Sequence, residues 1–167
     1  IPKDDGKRRP LSLPCLEDKI VQKAMVEVLN AIYEQDFLEI SYGFRPARSA
    51  HDALEEVWRV ISGKRISWVL EADICSYFDS IVRSQLMEMI ERRVVDGSIL
   101  RLIGKWINIG VIEDGRLLVT KTGTGQGQVI SPLLANIYLH YVLDEWFKEV
   151  VKPRLRGEAY EIRYADD

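Results

Sequence analysis

Arg163-Tyr164-Ala165-Asp166-Asp167 is the stretch on which the reading of this 167-residue chain turns. It ends a short run, residues 160–164, that reads as strand-like, with two carboxylates at its tip. Side chains alternate along a strand, so a doublet there makes a tight turn and sends at least one carboxylate toward a neighbouring strand. Alone, the pair reads first as a solvated turn, a place where Asp is common. It gains meaning from Asp73, which follows a second apolar run, Trp68-Val69-Leu70-Glu71-Ala72. Residues 66–72 read as a buried strand leading to that carboxylate. Acids from two strand ends can together hold two Mg2+ ions, and such a pair stabilises both the attacking and the leaving oxygen in phosphoryl transfer.

The composition permits such a site without pointing to it. Hydrophobic residues make up 47% and charged residues 29% of the chain, as in one globular domain with a sizeable core. Lys and Arg number 23 against 26 Asp and Glu, a net charge of −3. A nucleic-acid binder is usually basic. Here the basic residues are instead local, at Lys3, Lys7, Arg8 and Arg9 and around Arg45 and Arg48. The two cysteines, Cys15 and Cys75, have no CxxC spacing, so the sequence suggests neither a disulfide framework nor a zinc site. A reducing, cytoplasmic setting is the default. No apolar run approaches the roughly 18 residues of a membrane span. The chain begins at Ile1 rather than Met and stops on the doublet, and it reads as a piece of a longer protein.

Working toward the doublet from the start, residues 1–14 read as a proline-flanked edge hairpin whose basic tip suits either a phosphate chain or open solvent. An amphipathic helix is expected over residues 17–33, with Ile20, Val21, Ala24, Met25, Val28, Leu29 and Ile32 as its core stripe. Ser41-Tyr42-Gly43-Phe44-Arg45-Pro46 has no periodicity. Its aromatics and Arg suit stacking on bases and pairing with phosphates, and equally a packed loop. Ser49 is placed to cap a helix over residues 50–61 that ends near Gly63. Further helices are expected over 83–93 and 98–108, then a hairpin over 110–119 with Asp114-Gly115 in its turn. Ser131-Pro132 starts a last helix, with Ser as cap and Pro in the first turn, running to about residue 151.

Three further features bear on chemistry. Thr122-Gly123-Thr124-Gly125-Gln126-Gly127-Gln128 can bring backbone N–H groups close to phosphates, yet it is neither a Walker sequence nor a dinucleotide fingerprint. Phe78, five residues after Asp73, reads as a core residue or as a ring beneath a nucleotide sugar. His51 and His140 stand apart, without the company a metal or nucleophile site needs, and read as structural.

Taken in order, four blocks are diagnostic. They are Ser41-Tyr42-Gly43-Phe44-Arg45-Pro46 with Arg48-Ser49; Ala72-Asp73-Ile74 with Phe78-Asp79; Gly123-Thr124 and Gln126-Gly127 with Ile130-Ser131-Pro132-Leu133-Leu134-Ala135-Asn136; and Arg163-Tyr164-Ala165-Asp166-Asp167. Together they resemble the reverse transcriptase domain of bacterial group II intron-encoded proteins, over essentially the whole chain. The resemblance implies an α+β, right-hand polymerase fold: helical and hairpin fingers plus a partial palm with an antiparallel sheet, the thumb lying beyond these residues. On that likeness residues 1–64 are fingers, 65–82 carry the first catalytic strand of the palm, 83–129 continue the fingers, and 130–167 are palm.

The same likeness implies the site. Asp73, Asp166 and Asp167 match the family's catalytic acids, and with the Ile74 carbonyl they would hold two Mg2+ ions. Phe78 matches the sugar-selecting aromatic, Lys3 and Arg9 the residues that hold the incoming triphosphate, and Gln126 the motif glutamine beside the nascent pair. Arg45 and Arg48 are candidates for RNA template contact. The implied partners are an intron RNA template, a DNA or RNA primer and dNTPs, in the bacterial cytoplasm and without a membrane. The 167 residues alone are not expected to extend a primer. Three positions depart from the family pattern: Gly125 replaces a common Pro, Gln128 replaces a common Gly and adds bulk next to the expected site, and Cys75 stands where a basic residue is frequent. Two other readings share these motifs, a splicing maturase whose polymerase site is unused and a related reverse transcriptase from a defence or spacer-acquisition system.

Overall fold

The computed structural model describes residues 14–109, 111–113, 116–118, 123–124 and 127–167. Helix α1 spans Leu16–Tyr33, with Glu17 and Asp18 in its first turn, where acids suit the helix dipole. Its inward face differs from the expected stripe. Gln22, Met25, Val26, Leu29, Ile32 and Tyr33 turn toward the protein, while Ile20, Val21, Ala24 and Val28 are exposed. Gln22 explains the rotation. Its amide oxygen accepts the N–H groups of Val129 (2.9 Å) and Ile130 (3.4 Å), and its amide nitrogen donates to Gln128 Oε1 (3.4 Å). A buried polar side chain so partnered is compatible with a core position, and a hydrophobicity pattern cannot see it.

Helix α2, Ala50–Gly63, starts as expected. Ser49 and Asp52 form a reciprocal capping box, each accepting the other's backbone N–H. Between α1 and α2 the loop packs on itself around Arg45, which is buried. Its guanidinium donates to the Glu34 carboxylate and to the carbonyls of Leu38 (2.7 Å) and Ser41 (2.8 Å), and it lies over the Phe37 ring. Arg48 pairs with Glu39 and lies over Tyr42.

The strand expected over residues 66–72 is not formed. The segment has no regular secondary structure and no strand partner, and Trp68, Val69 and Leu70 are 92%, 71% and 91% exposed. A strand needs a neighbour for its N–H and C=O groups, and among the described residues none lies beside this one. The antiparallel palm sheet is therefore not seen. Among the described residues the paired strands are those of a hairpin, β1 (Val111–Glu113) and β2 (Arg116–Leu118), aligned Val111 to Leu118, Ile112 to Leu117 and Glu113 to Arg116. The hairpin is as expected, while its Asp114-Gly115 turn lies outside the described residues.

Short helix α3 (Tyr77–Ser80) leads to α4 (Arg83–Glu91) and α5 (Gly97–Ile107). Asp96 caps α5, accepting from Ser98 N (2.7 Å) and Ile99 N (3.1 Å). Helix α6, Ser131–Leu139, carries Pro132 in its first turn, but Ile130 rather than Ser131 holds the cap position. Ile130 has no side-chain acceptor to offer. The Gln22 oxygen takes up N–H groups just ahead of the helix instead. The helical path continues to Val151 through two wide, π-type turns, His140–Asp144 and Phe147–Val151. The core joins α1, α3, α4, α5 and α6 through Leu29, Tyr33, Tyr77, Ile81, Leu86, Ile90, Ile103, Trp106, Leu134 and Ile137.

Gln22 is thus a cross-brace between α1 and the start of α6. Replacing it with Leu leaves two backbone donors and the Gln128 amide short of a partner. The variant is expected to lose about 1–3 kcal/mol of stability, read as a lower urea midpoint for the protein carrying it.

Candidate active site

The doublet sits in a tight turn, as its sequence suggests. Tyr164 N–H donates to Asp167 O (2.9 Å) and Asp167 N–H donates back to Tyr164 O (3.1 Å), closing a two-residue loop of Ala165 and Asp166. Ala165 has φ +60°, the sign that a II′ turn requires at its first central residue. That conformation costs an L-residue about 1 kcal/mol, so the surroundings must hold it.

They do so from two sides. On one side the 40–43 loop runs alongside: Arg163 N–H donates to Ile40 O (2.8 Å) and Tyr42 N–H to Arg163 O (2.9 Å), an isolated parallel bridge rather than a strand. Gly43 then lies against the turn so closely that a Cβ there would stand 2.3 Å from Ala165 N. On the other side Arg163, 2% exposed, points into the protein. Its Nε and Nη2 donate to the two carboxylate oxygens of Asp144 (2.8 and 2.7 Å), and Asp144 is fully buried. Its Nη1 donates to Asn136 Oδ1 (3.1 Å) and to Ala165 O (2.7 Å). Asn136 Nδ2 in turn donates to Gly43 O (2.6 Å).

The Asp73 segment meets this turn through the backbone. Ile74 N–H donates to Asp166 O (3.1 Å), while Ile74 O accepts from Tyr77 N (3.2 Å). Ser76 has φ +50°. Tyr77 is buried and its hydroxyl donates to Ala135 O (2.6 Å) on α6, and burial raises its pKa well above the usual phenol value. Asp73 and Asp167 are exposed and Asp166 is half-buried. Among the described residues no group of three or more His, Cys, Asp or Glu is gathered closely enough to hold a metal. The structure joins residue 74, next to Asp73, to residue 166 through the backbone. All the donors are oxygen, the set that suits a hard divalent cation.

Phe78 is half-buried against the core and 5.6 Å from the Tyr77 ring. The glycine-rich loop docks on α3 beside it: Thr124 N donates to Phe78 O (2.9 Å), Gly123 N to Ile81 O (2.9 Å), and Arg83 Nε to Gly123 O (2.8 Å). Gly123 has φ +86°, and a Cβ there would stand 2.9 Å from both Asp79 Cα and Phe78 O. Lys3, Arg9, Gly125 and Gln126 lie outside the described residues.

Two expectations change. Gln128 does not crowd the site, because it is buried between Gln22 and Trp106 O, to which its amide donates (3.1 Å). Arg45 has its guanidinium turned into the 34–45 loop, so it acts as a loop clamp and offers no exposed group to a template.

Glu161 is a residue that sequence reading passed over. It lines a cavity of about 280 Å3 with Glu39, Ile40, Tyr42, Glu56 and Arg59. Its Oε2 is buried without a hydrogen-bond partner, and burial, reinforced by the nearby Asp144 charge, pushes its pKa up to about 7.

Comparison with known proteins agrees with the motif order. The family model described as reverse transcriptase (RNA-dependent DNA polymerase) matches residues 1–167. Protein YkfC of Escherichia coli K12 is 41% identical over 167 residues, covering 98% of this chain and 43% of that protein. The group II intron-encoded protein LtrA of Lactococcus lactis subsp. cremoris is 42% identical over 138 residues, 83% of this chain and 23% of LtrA. Nuclear intron maturase 2, mitochondrial, of Arabidopsis thaliana is 30% identical over 109 residues, 63% of this chain and 15% of that protein. The chain thus spans less than half the length of each of these relatives.

The raised Glu161 pKa has a definite consequence for stability. Between the ordinary value of 4.5 and about 7 the folded form binds the proton that the unfolded form has released, so stability falls as pH rises through that window. Glu161→Gln is expected to flatten this part of the profile and to raise stability at pH 8, checked by denaturant midpoints from pH 4.5 to 8.

Proposed function

The chain belongs to the reverse transcriptase family, and from that membership we propose that the full-length protein is an RNA-directed DNA polymerase of a group II intron that also assists intron splicing. The observation that carries this reading is the joint between Ile74 N–H and Asp166 O. It ties the segment bearing Asp73 to the turn bearing Asp166 and Asp167. The names of LtrA and of the intron maturase support the intron setting and the splicing role.

In this reading Asp73, Asp166 and Asp167, with the Ile74 carbonyl, would hold two Mg2+ ions. Bound there, the ions supply Lewis acidity at the primer 3′-oxygen and at the leaving pyrophosphate. The primer 3′-oxygen attacks the α-phosphate of a dNTP in line, so the work of the chain is positioning and charge. The turn holds the two carboxylates of the doublet in fixed directions. Phe78 stands beside the sugar and excludes a 2′-hydroxyl. Lys3 and Arg9 give charge-assisted contacts to the triphosphate, and Gln126 lies by the nascent pair. Arg48 keeps part of its surface exposed and remains a candidate for template RNA. Residues 1–64 and 83–129 serve as fingers and residues 65–82 and 130–167 as palm. The Trp68–Leu70 stretch becomes a palm strand when a neighbouring strand lies beside it. Among the described residues no helix is long and apolar enough to cross a membrane, and the bacterial cytoplasm is the proposed setting.

The test is primer extension by the full-length protein on an RNA template with dNTPs and Mg2+, run beside Asp166→Ala. Mg2+-dependent DNA synthesis that falls to background in the variant is the expected result. A folded, RNA-binding protein that makes no DNA would contradict the proposal and favour a maturase that acts in splicing alone.

A further inference from the structure

We propose that Gly43, Asn136, Asp144 and Arg163 form a cradle that sets the direction of the Asp166–Asp167 doublet, and that they act as positioning residues for metal binding there. The inference rests on the metal site of the preceding section. It goes further by assigning a positioning role to Gly43, Asn136 and Arg163, which the motif blocks contain without a role, and to Asp144, which lies outside them.

The argument starts from the conformation of the turn. Ala165 holds a φ of +60° that its side chain disfavours, and its peptide is gripped at both ends. At the carbonyl, Arg163 Nη1 donates over 2.7 Å. At the nitrogen, Gly43 approaches so closely that no larger residue fits without moving one of the two backbones. These grips are themselves linked. Asn136 donates to Gly43 O and accepts from the same Arg163 Nη1 that holds Ala165 O, so one α6 side chain connects the loop to the guanidinium. Asp144 then fixes the guanidinium plane through two parallel bonds of 2.8 and 2.7 Å, a geometry that leaves little rotational freedom. A displacement at Gly43 or Asn136 therefore passes to the Ala165 peptide and on to the next residue, Asp166. None of the four needs to touch a metal or a substrate to have this effect. Partners that orient metal ligands in this way are typically worth about 10–100-fold in metal affinity or activity.

Gly43→Ala is the sharpest probe, because it adds one methyl group, changes no charge and presses on Ala165, at its N, Cα and Cβ. Asn136→Ala is the second, removing both links while leaving the Arg163–Asp144 pair in place. Tyr33→Phe is the control: it deletes a buried hydroxyl bond to Ile90 O, a partner that is not part of the cradle. All are made in the full-length protein. The readouts are Mn2+ binding followed by electron paramagnetic resonance, the Mg2+ concentration that half-saturates primer extension, and the melting temperature. The portion of Mn2+ binding lost in Asp166→Ala defines the site.

The expected result is that Gly43→Ala weakens that portion of Mn2+ binding about tenfold and raises the Mg2+ requirement in step. Asn136→Ala shifts both in the same direction, and Tyr33→Phe lowers only the melting temperature. If Gly43→Ala does not fold, the Asn136→Ala shift decides alone. A lower melting temperature with unchanged metal dependence in both cradle variants would reduce the cradle to ordinary packing and overturn the proposal. So would the absence of Mn2+ binding sensitive to Asp166→Ala. A protein that binds Mn2+ as expected yet extends no primer would sink the polymerase reading and leave the cradle standing.

Discussion

The arrangement depends on one buried ion pair, Arg163 with Asp144. Two charges taken out of water are stable together only if their remaining donors and acceptors are met, and here they are. Asp144 receives both arms of the guanidinium, and the third nitrogen reaches Asn136 and Ala165 O. Asp144 lies at the end of the first wide turn that follows α6. A π-type turn changes the direction in which the next residues face, and such turns recur at functional positions. The helix that carries the core thereby also carries the anchor of the doublet.

Around this pair the chain brings together segments far apart in sequence. Residues 40–43 run beside 163, residue 74 meets 166, and residues 123–124 rest on α3. Each junction is made by backbone groups, so it depends on conformation more than on side-chain identity. That explains why glycine stands at two of the closest approaches, Gly43 and Gly123, where a Cβ would meet backbone atoms at under 3 Å.

Much of this was legible in the sequence where local chemistry decides the outcome. Ser49 marks a helix start because its side chain can satisfy orphan N–H groups, and Asp114-Gly115 marks a hairpin whose strands are seen on either side of it. The adjacent acids at 166 and 167 mark a turn. What was not legible depends on distant partners. The face of α1 turned on Gln22, a polar residue whose partners are more than 100 positions away. Gln128 read as added bulk beside the site and Arg45 as a template contact because guanidiniums suit phosphates, yet both were needed to satisfy buried backbone or side-chain groups. The apolar run at 68–70 reads as a buried strand, but apolar character does not supply a neighbouring strand, and that segment is exposed. Asp144 gave no local signal at all, since a lone Asp in a helix reads as a surface residue, and Asn136 stood in a motif block without a role.

The account stands or falls on whether Arg163 and Asp144 act as one unit. The direct measurement is a double-mutant cycle of Arg163→Met and Asp144→Leu in the full-length protein, with stability read by urea unfolding. A coupled buried pair predicts that each single variant loses about 3–5 kcal/mol, because it leaves the other charge unpaired, and that the double variant loses less than either. Single losses that simply add in the double variant would contradict the account, and the turn would then have to be held by the 40–43 loop alone.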